Sequence, residues 1–440
     1  MPAERPLLLR LSSPDHALAF TLRAPEGTSE LVLMFERAGG LTLPAAADIA
    51  ATIAALESRG TAVTAYTPEL TFPAIVAISA ARRRLAPPLA GPLALAARRE
   101  SLVAAGALPF GVTVETIASG DAKPARYRFD AEARPPEIDE QLRAVQREID
   151  ENAVEIVRRS IANVAAGDVF ASAAEAAERG VLTGTGYPET LVSERPRRRR
   201  LRLSWPLLRR RRSTIAVVRL GRSAMLRGRA AGVAARLLRD AGKFAGVLLV
   251  VDSAGGDLSS ADRAWTLLQA LGRETPVVAF IHRAVSTGYL VASAANAIVA
   301  SPCAEVGGAG VVSYRAGAEP LLRRAGFARV SADSYPRERV GGARRELAAL
   351  SHELMLQRIA AARPRADIES IRGGDVFAPR AAHDLRLVDE IGTIDAAVRA
   401  LASRAGIAAA AMRFVAAGER RFSWWSELRR GREIVDALFR

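Results

Sequence analysis

One cysteine, Cys303, in 440 residues leaves no intramolecular disulfide framework and no multi-cysteine metal or iron–sulfur site. Four scattered histidines, His16, His282, His352 and His383, form no HxxxH or HExxH pair, which argues against a zinc enzyme. Lysine is nearly missing: of 62 basic residues only Lys123 and Lys243 are lysine, so the net charge of +15 is carried by arginine. A bias this strong reflects composition before function, but it makes each surviving lysine worth a question. Aromatic residues are scarce at 5%. No long apolar run follows the N-terminus, where Asp15 and His16 come early, so neither a signal peptide nor a membrane anchor is expected. The uncharged stretch from Ala284 to Ala304 carries Ser286, Thr287, Ser293, Asn296, Ser301 and Pro302, and reads as buried strand and helix rather than a span. The expectation is a cytoplasmic chain, peripheral at a membrane at most.

What is present is a duplication. Half the residues are hydrophobic and a quarter charged, as in a folded protein of two or three domains. Leu31–Gly40 matches Val247–Gly256, each an apolar strand, a short polar segment and Ala-Gly-Gly. Thr61–Tyr66 matches Thr275–Phe280, and Gly-Asp-Val-Phe-Ala occurs at 167–171 and again at 374–378. Offsets of 216, 214 and 207 describe two copies of one domain with a few indels. Between Ala-Gly-Gly and the next strand the second copy sets Ala264, Leu267, Leu268 and Leu271 on one helical face. Strand and helix alternate, so each copy is expected to be an α/β unit with a parallel sheet. Long amphipathic helices are expected over Pro136–Ala165 and Gly342–Ala362.

The boundaries that follow are a first domain over 1–193, an arginine-rich linker over 194–213, a second domain over 214–405 and a Trp/Arg-rich tail over 406–440. The linker reads either as a solvated basic loop or as a surface for anionic lipid or nucleic acid, with Trp205 favouring lipid. The tail reads as an interfacial helix or as one packed on its own domain or on a neighbouring subunit.

The chemistry concentrates in the second copy. Strand 275–281 runs into His282-Arg-Ala-Val-Ser-Thr-Gly-Tyr289 and then an alanine-rich helix. A serine at a strand-to-helix turn exposes its hydroxyl beside backbone N–H groups that can hold an oxyanion. The same residue equally reads as a helix cap. Gly255-Gly256 can present N–H groups where side chains would collide, or simply turn the chain. Lys123, followed by Pro124, reads as a loop lysine or as a base, and Lys243 as a loop lysine. His282 is a rival base, although no acid is obviously placed to orient it.

Asp252-Ser-Ala-Gly-Gly-Asp257, Val285-Ser-Thr-Gly-Tyr289, Ala295–Pro302 and Val306-Gly-Gly-Ala-Gly-Val-Val312, in this order and spacing, resemble the signal peptide peptidase A family. These are serine–lysine peptidases of the fold shared with the Clp protease and crotonases. The likeness covers residues 214–400 well and 30–190 more loosely, as in the long form with two such domains in tandem. It implies an α/β fold of tandem duplicated Clp/crotonase-like domains. It also implies a nucleophile in the second domain and a base lysine in the first. Gly111–Pro124 resembles the family's Gly-x-x-Lys segment and ends on Lys123; its counterpart Val330–Glu338 holds no lysine, and the first copy has Leu70-Thr-Phe-Pro where the second has Ala284-Val-Ser-Thr. Each copy lacks what the other holds.

The resemblance thus assigns Ser286 as nucleophile and Lys123 as base. Gly256 and Thr287 supply oxyanion N–H groups, and Gly255 and Gly288 support the turn. Thr287 stands where the family has glycine, and Ala254 where proline is common. Peptide substrates and a homo-oligomeric ring are the partners the resemblance implies, with no cofactor and no metal. Contact with an anionic membrane surface is expected from the Arg-rich linker and the tail, and a nucleic-acid partner is not expected. Two other functions stay open on the residues: a non-catalytic scaffold at a membrane surface, and an acyl-thioester enzyme using the Gly-Gly turn.

Overall fold

The computed structural model describes residues 6–25, 27–36, 40–97, 113–130, 133–187, 197–198, 213–221, 225, 229–317, 319–326 and 337–417. Most of the linker and the tail beyond residue 417 lie outside the described residues, as does most of Val330–Glu338.

The first half builds a six-stranded parallel sheet. Its leading elements are β1 (Leu7–Leu11), α1 (Pro14–Leu22), β2 (Glu30–Phe35), α2 (Leu43–Ser58), β3 (Ala62–Tyr66), α3 (Phe72–Ile78) and β4 (Arg83–Ala86). A short strand β5 (Leu93–Ala94) and a long one, β6 (Thr113–Ser119), leave this sheet. Then come α4 (Pro136–Arg158), β7 (Val169–Phe170), α5 (Ala173–Glu178), β8 (Gly184–Thr185) and β9 (Arg197–Arg198). The strand order is β8-β4-β3-β2-β1-β9. Near-continuous apolar runs such as Leu31-Val-Leu form these strands because both faces of a parallel sheet are covered.

The second half repeats the plan. It runs β10 (Thr214–Gly221), α6 (Ala230–Arg239), β11 (Gly246–Ser253), α7 (Leu258–Leu271), β12 (Val277–Val285), α8 (Thr287–Ser293) and β13 (Ala297–Gly307). There follow β14 (Val311–Gly317), α9 (Glu319–Arg324), α10 (Arg337–Ala362), α11 (Ile368–Ile371), β15 (Val376–Phe377), α12 (Pro379–Asp384), β16 (Glu390–Ile391), α13 (Ile394–Ala405) and β17 (Arg413–Ala416). The order β13-β12-β11-β10 mirrors β4-β3-β2-β1, the tandem α/β arrangement expected from the repeats. β17, inside the segment assigned to the tail, adds a parallel strand beside β10, so the sheet reaches past residue 405. Arg197–Arg198, assigned to the linker, likewise pairs with β1.

The units interlock. Cys303 and Ala378 of the second pack into the first unit's core. Asn152 of α4 donates to the carbonyl of Pro302 at 2.8 Å. An antiparallel ladder joins β6 to β14, with Ser119 opposite Val311 and Thr113 opposite Gly317. That ladder carries the chain after β6 onto the second unit. Among the described residues no helix is long and apolar enough to cross a membrane.

Candidate active site

Ser286 sits where β12 gives way to α8, with φ 59° and ψ −128°. A non-glycine residue in this region is strained and persists only when its surroundings hold it. Here they do: its N–H donates to Gly307 at 2.8 Å, and its carbonyl accepts from Tyr289 and Leu290 at 2.9 and 3.1 Å. Its hydroxyl makes no capping bond to the helix it precedes. The corresponding hydroxyl in the first unit belongs to Thr71, whose φ of −109° lets its side chain cap α3 through Ala74 N–H at 3.3 Å. The first copy therefore keeps a hydroxyl at this junction but spends it on the helix, whereas Ser286 Oγ is turned away and lies 3.4 Å from the carbonyl of Gly310.

The glycines around Ser286 are needed for close approach. At Gly255, with φ +115°, a Cβ would lie 3.0 Å from Ser286 Cβ; at Gly288 one would lie 2.9 Å from the carbonyl of Ser253. Gly256, next in the turn, is exposed, and Thr287 is buried with its Oγ1 unpaired among the described residues. An N–H at the first position of a helix has no partner within it.

Lys123 comes to this turn from the other half of the chain. β6 delivers it through Gly120, which has φ +104°. Pro124 then starts a 3₁₀ turn, which is why Lys-Pro stands there. Lys123 is 6% exposed. Its Nζ donates to the carbonyl of Gly308 at 2.6 Å. A Cβ added at Gly310 would meet Lys123 Cδ at 3.2 Å and one at Gly374 would meet Lys123 Cβ at 2.9 Å, so glycines wall the slot. Burial lowers the amine's pKa from its ordinary value to about 8. Lys243, by contrast, ion-pairs with Asp240 in solvent.

Lys123 Nζ and Ser286 Oγ thus bond to carbonyls two residues apart in one turn, Gly307–Gly310. His282 goes elsewhere. The sequence shows no acid to orient it, yet one exists in the first unit: Asp48 Oδ2 lies 2.9 Å from His282 Nε2. His282 is therefore held toward α2. It also occupies the bulge where the pairing of β12 slips against both neighbours. Sequence reasoning gave no role to Gly308, Gly310, Gly374, Ser119 or His352. For Gly374 a signal existed, since it opens the repeated Gly-Asp-Val-Phe-Ala.

Residues 269–408 match the profile of peptidase family S49. The match supports a likeness to the signal peptide peptidase A family. The match includes Ser286, Gly307–Gly310 and Gly374, and excludes the half that supplies Lys123. Serine protease SPPA of the Arabidopsis thaliana chloroplast is 30% identical over 188 residues, 39% of this chain and 28% of that protein. The chain thus spans under a third of that relative's length. Among solved structures, a lysine-to-alanine mutant of the 1510-N membrane-bound stomatin-specific protease, in complex with a substrate peptide, is 11% identical. It covers 42% of this chain and 79% of its own, with a TM-score of 0.29. An enoyl-CoA hydratase/carnitine racemase from Magnetospirillum magneticum is 16% identical over 44% of this chain and 71% of its own, with a TM-score of 0.29.

Proposed function

We propose that this chain is a serine endopeptidase with a Ser286–Lys123 dyad shared between its two units. The observation that carries the reading is the Gly307–Gly310 turn, which receives the serine hydroxyl from one half and a buried amine from the other. A serine hydroxyl is a weak nucleophile without a positioned base. A lysine with a solution pKa of about 10.4 would be protonated, but one at about 8 has a usable free fraction near neutrality. Ser286 Oγ attacks the scissile carbonyl while Lys123 takes its proton, and the amine then protonates the leaving nitrogen. The N–H groups of Gly256 and Thr287 receive the oxyanion. Water, deprotonated by Lys123, cleaves the acyl-enzyme and regenerates Ser286. No cofactor enters these steps.

Substrates on this reading are extended, apolar peptides, and the chain works as a homo-oligomer. The arginine-rich linker and tail supply contact with an anionic membrane surface.

A fluorophosphonate tests the dyad: Ser286 Oγ displaces fluoride at phosphorus, and Lys123 accepts the proton. Labelling of wild type, with none in Ser286→Ala or Lys123→Ala, is expected. Labelling that survives both substitutions removes the reading. Thioester turnover that survives Ser286→Ala would point to acyl-thioester chemistry instead.

A further inference from the structure

We propose that His352, in α10, is a positioning residue for Lys123: neutral and bonded to Ser119, it fixes the base-bearing loop and closes its slot against water. The role rests on reading Lys123 as the base.

The loop that carries Lys123 belongs to the first unit, yet it is anchored on the second. β6 is paired to β14, and Ala122 N–H donates to the Gly373 carbonyl at 2.8 Å. Lys123 Nζ reaches Gly308. The side-chain anchor comes at the junction between strand and loop. There Ser119, the last residue of β6, places its Oγ 2.8 Å from His352 Nδ1. α10 lies against both β6 and β14, so the imidazole sits where the ladder ends and Gly120 turns the chain toward Lys123.

His352 is 6% exposed, and its Nε2 is buried with no hydrogen-bond partner among the described residues. An unpaired buried nitrogen is costly in a neutral ring and far costlier in an imidazolium. The charges around it act the same way. Burial lowers its pKa first, the Lys123 amine and the Arg372 guanidinium lower it further, and Glu353 opposes them weakly. Arg372 is itself engaged by Glu353 and Glu369, each at 3.0 Å. Near the loop, Asp121 pairs with Arg126, and the Asp375 carboxylate would meet a Cβ placed at Gly373 at 2.8 Å. A neutral ring therefore fills the space beside the loop where water would otherwise rehydrate the amine. Rehydration would raise the amine's pKa, since desolvation is what lowers it.

The near-absence of lysine supplies the experiment. Protein grown on lysine labelled with ¹⁵N and ¹³C at the side-chain terminus shows two amine signals, Lys123 and Lys243, assigned with Lys243→Arg. In wild type the Lys123 signal is expected to titrate at about 8. In His352→Ala it is expected to rise by about one unit or more toward the roughly 10.4 of a solvated lysine. Fluorophosphonate labelling at pH 7 should then slow about tenfold. His352→Gln, whose amide can bond Ser119 and fill the space, should return the titration most of the way to wild type.

Should His352→Ala fail to fold, Ser119→Ala removes the same bond without a hole and should give a smaller rise. A Lys123 that titrates alike in wild type and in folded His352→Ala, or in Ser119→Ala where that variant is needed, overturns the proposal. So does a shift of equal size in His352→Gln and His352→Ala. A Lys123 that titrates low and follows His352, beside a Ser286 that never reacts, ends the dyad instead and leaves the tether standing.

Discussion

Among the described residues a protonated amine in the slot between Gly308, Gly310 and Gly374 has one carbonyl in place of its hydration shell, and burial is what lowers its pKa. Lys123 therefore opposes folding whenever it is charged. Its folded pKa of about 8 lies below the unfolded value of about 10.5, so between the two the unfolded chain keeps a proton that the native state has lost. Stability contributed by this site climbs with pH across that window, and below it the deficit is about 3 kcal/mol. Lys123→Met is expected to stabilise the fold at pH 7 by about 2 to 3 kcal/mol, read from a higher denaturant midpoint, with the gain gone by pH 10.5. The same variant should not react with fluorophosphonate, and wild-type labelling should rise with pH to a half-maximum near 8. Lysine and serine were both legible in the sequence, one by scarcity among arginines and the other by its strand-to-helix turn. His352 was not, because a lone histidine in an amphipathic helix gives no sign of what its ring meets from the other half of the chain.

The elements that make the slot came from two different signals. The repeat of strand, turn and Gly-Asp-Val-Phe-Ala correctly implied two sheets of the same plan, because β-strand burial and turn chemistry are local properties. The β6–β14 ladder was not implied, since pairing between strands from opposite halves is decided by packing rather than by either segment. The repeated pentapeptide shows how one motif diverges. In the first copy Gly167 opens onto empty space, while in the second Gly374, at φ +91°, lies against Ala309 and Lys123. A Cβ there would stand 2.7 Å from the Ala309 carbonyl and 2.9 Å from Lys123 Cβ. Gly374→Ala should therefore cost about 1 to 3 kcal/mol through backbone strain and push Lys123 out of line. The expected readout is a fall in fluorophosphonate labelling larger than the lost stability explains. Gly167→Ala meets only the φ penalty, +88°, and should leave labelling as in wild type.

For the molecule as a whole, a dyad divided between two units works only if the units keep one relative position. Asp48 on α2 is a deeply buried polar link between them. It is 3% exposed, bonds His282 through Oδ2 and accepts the Ile394 N–H through Oδ1 at 2.9 Å. Burial pushes its pKa up, while the His282 bond and charge pull it down. A buried carboxylate is tolerated here because both oxygens are engaged, and removing it strands two groups at once. Asp48→Ala is expected to destabilise by about 2 to 4 kcal/mol, because it leaves the His282 ring nitrogen and the Ile394 N–H without their partner. Asp48→Asn keeps one acceptor for Ile394 and should cost about 1 to 2 kcal/mol. Because His282 sits at the bulge of the strand that leads into Ser286, the loss should reach the site as well as the fold. Labelling of Asp48→Asn under conditions where it is fully folded measures that second effect. A rate that drops several-fold, with the Lys123 titration unchanged, would show that the link sets the position of the serine and leaves the amine alone.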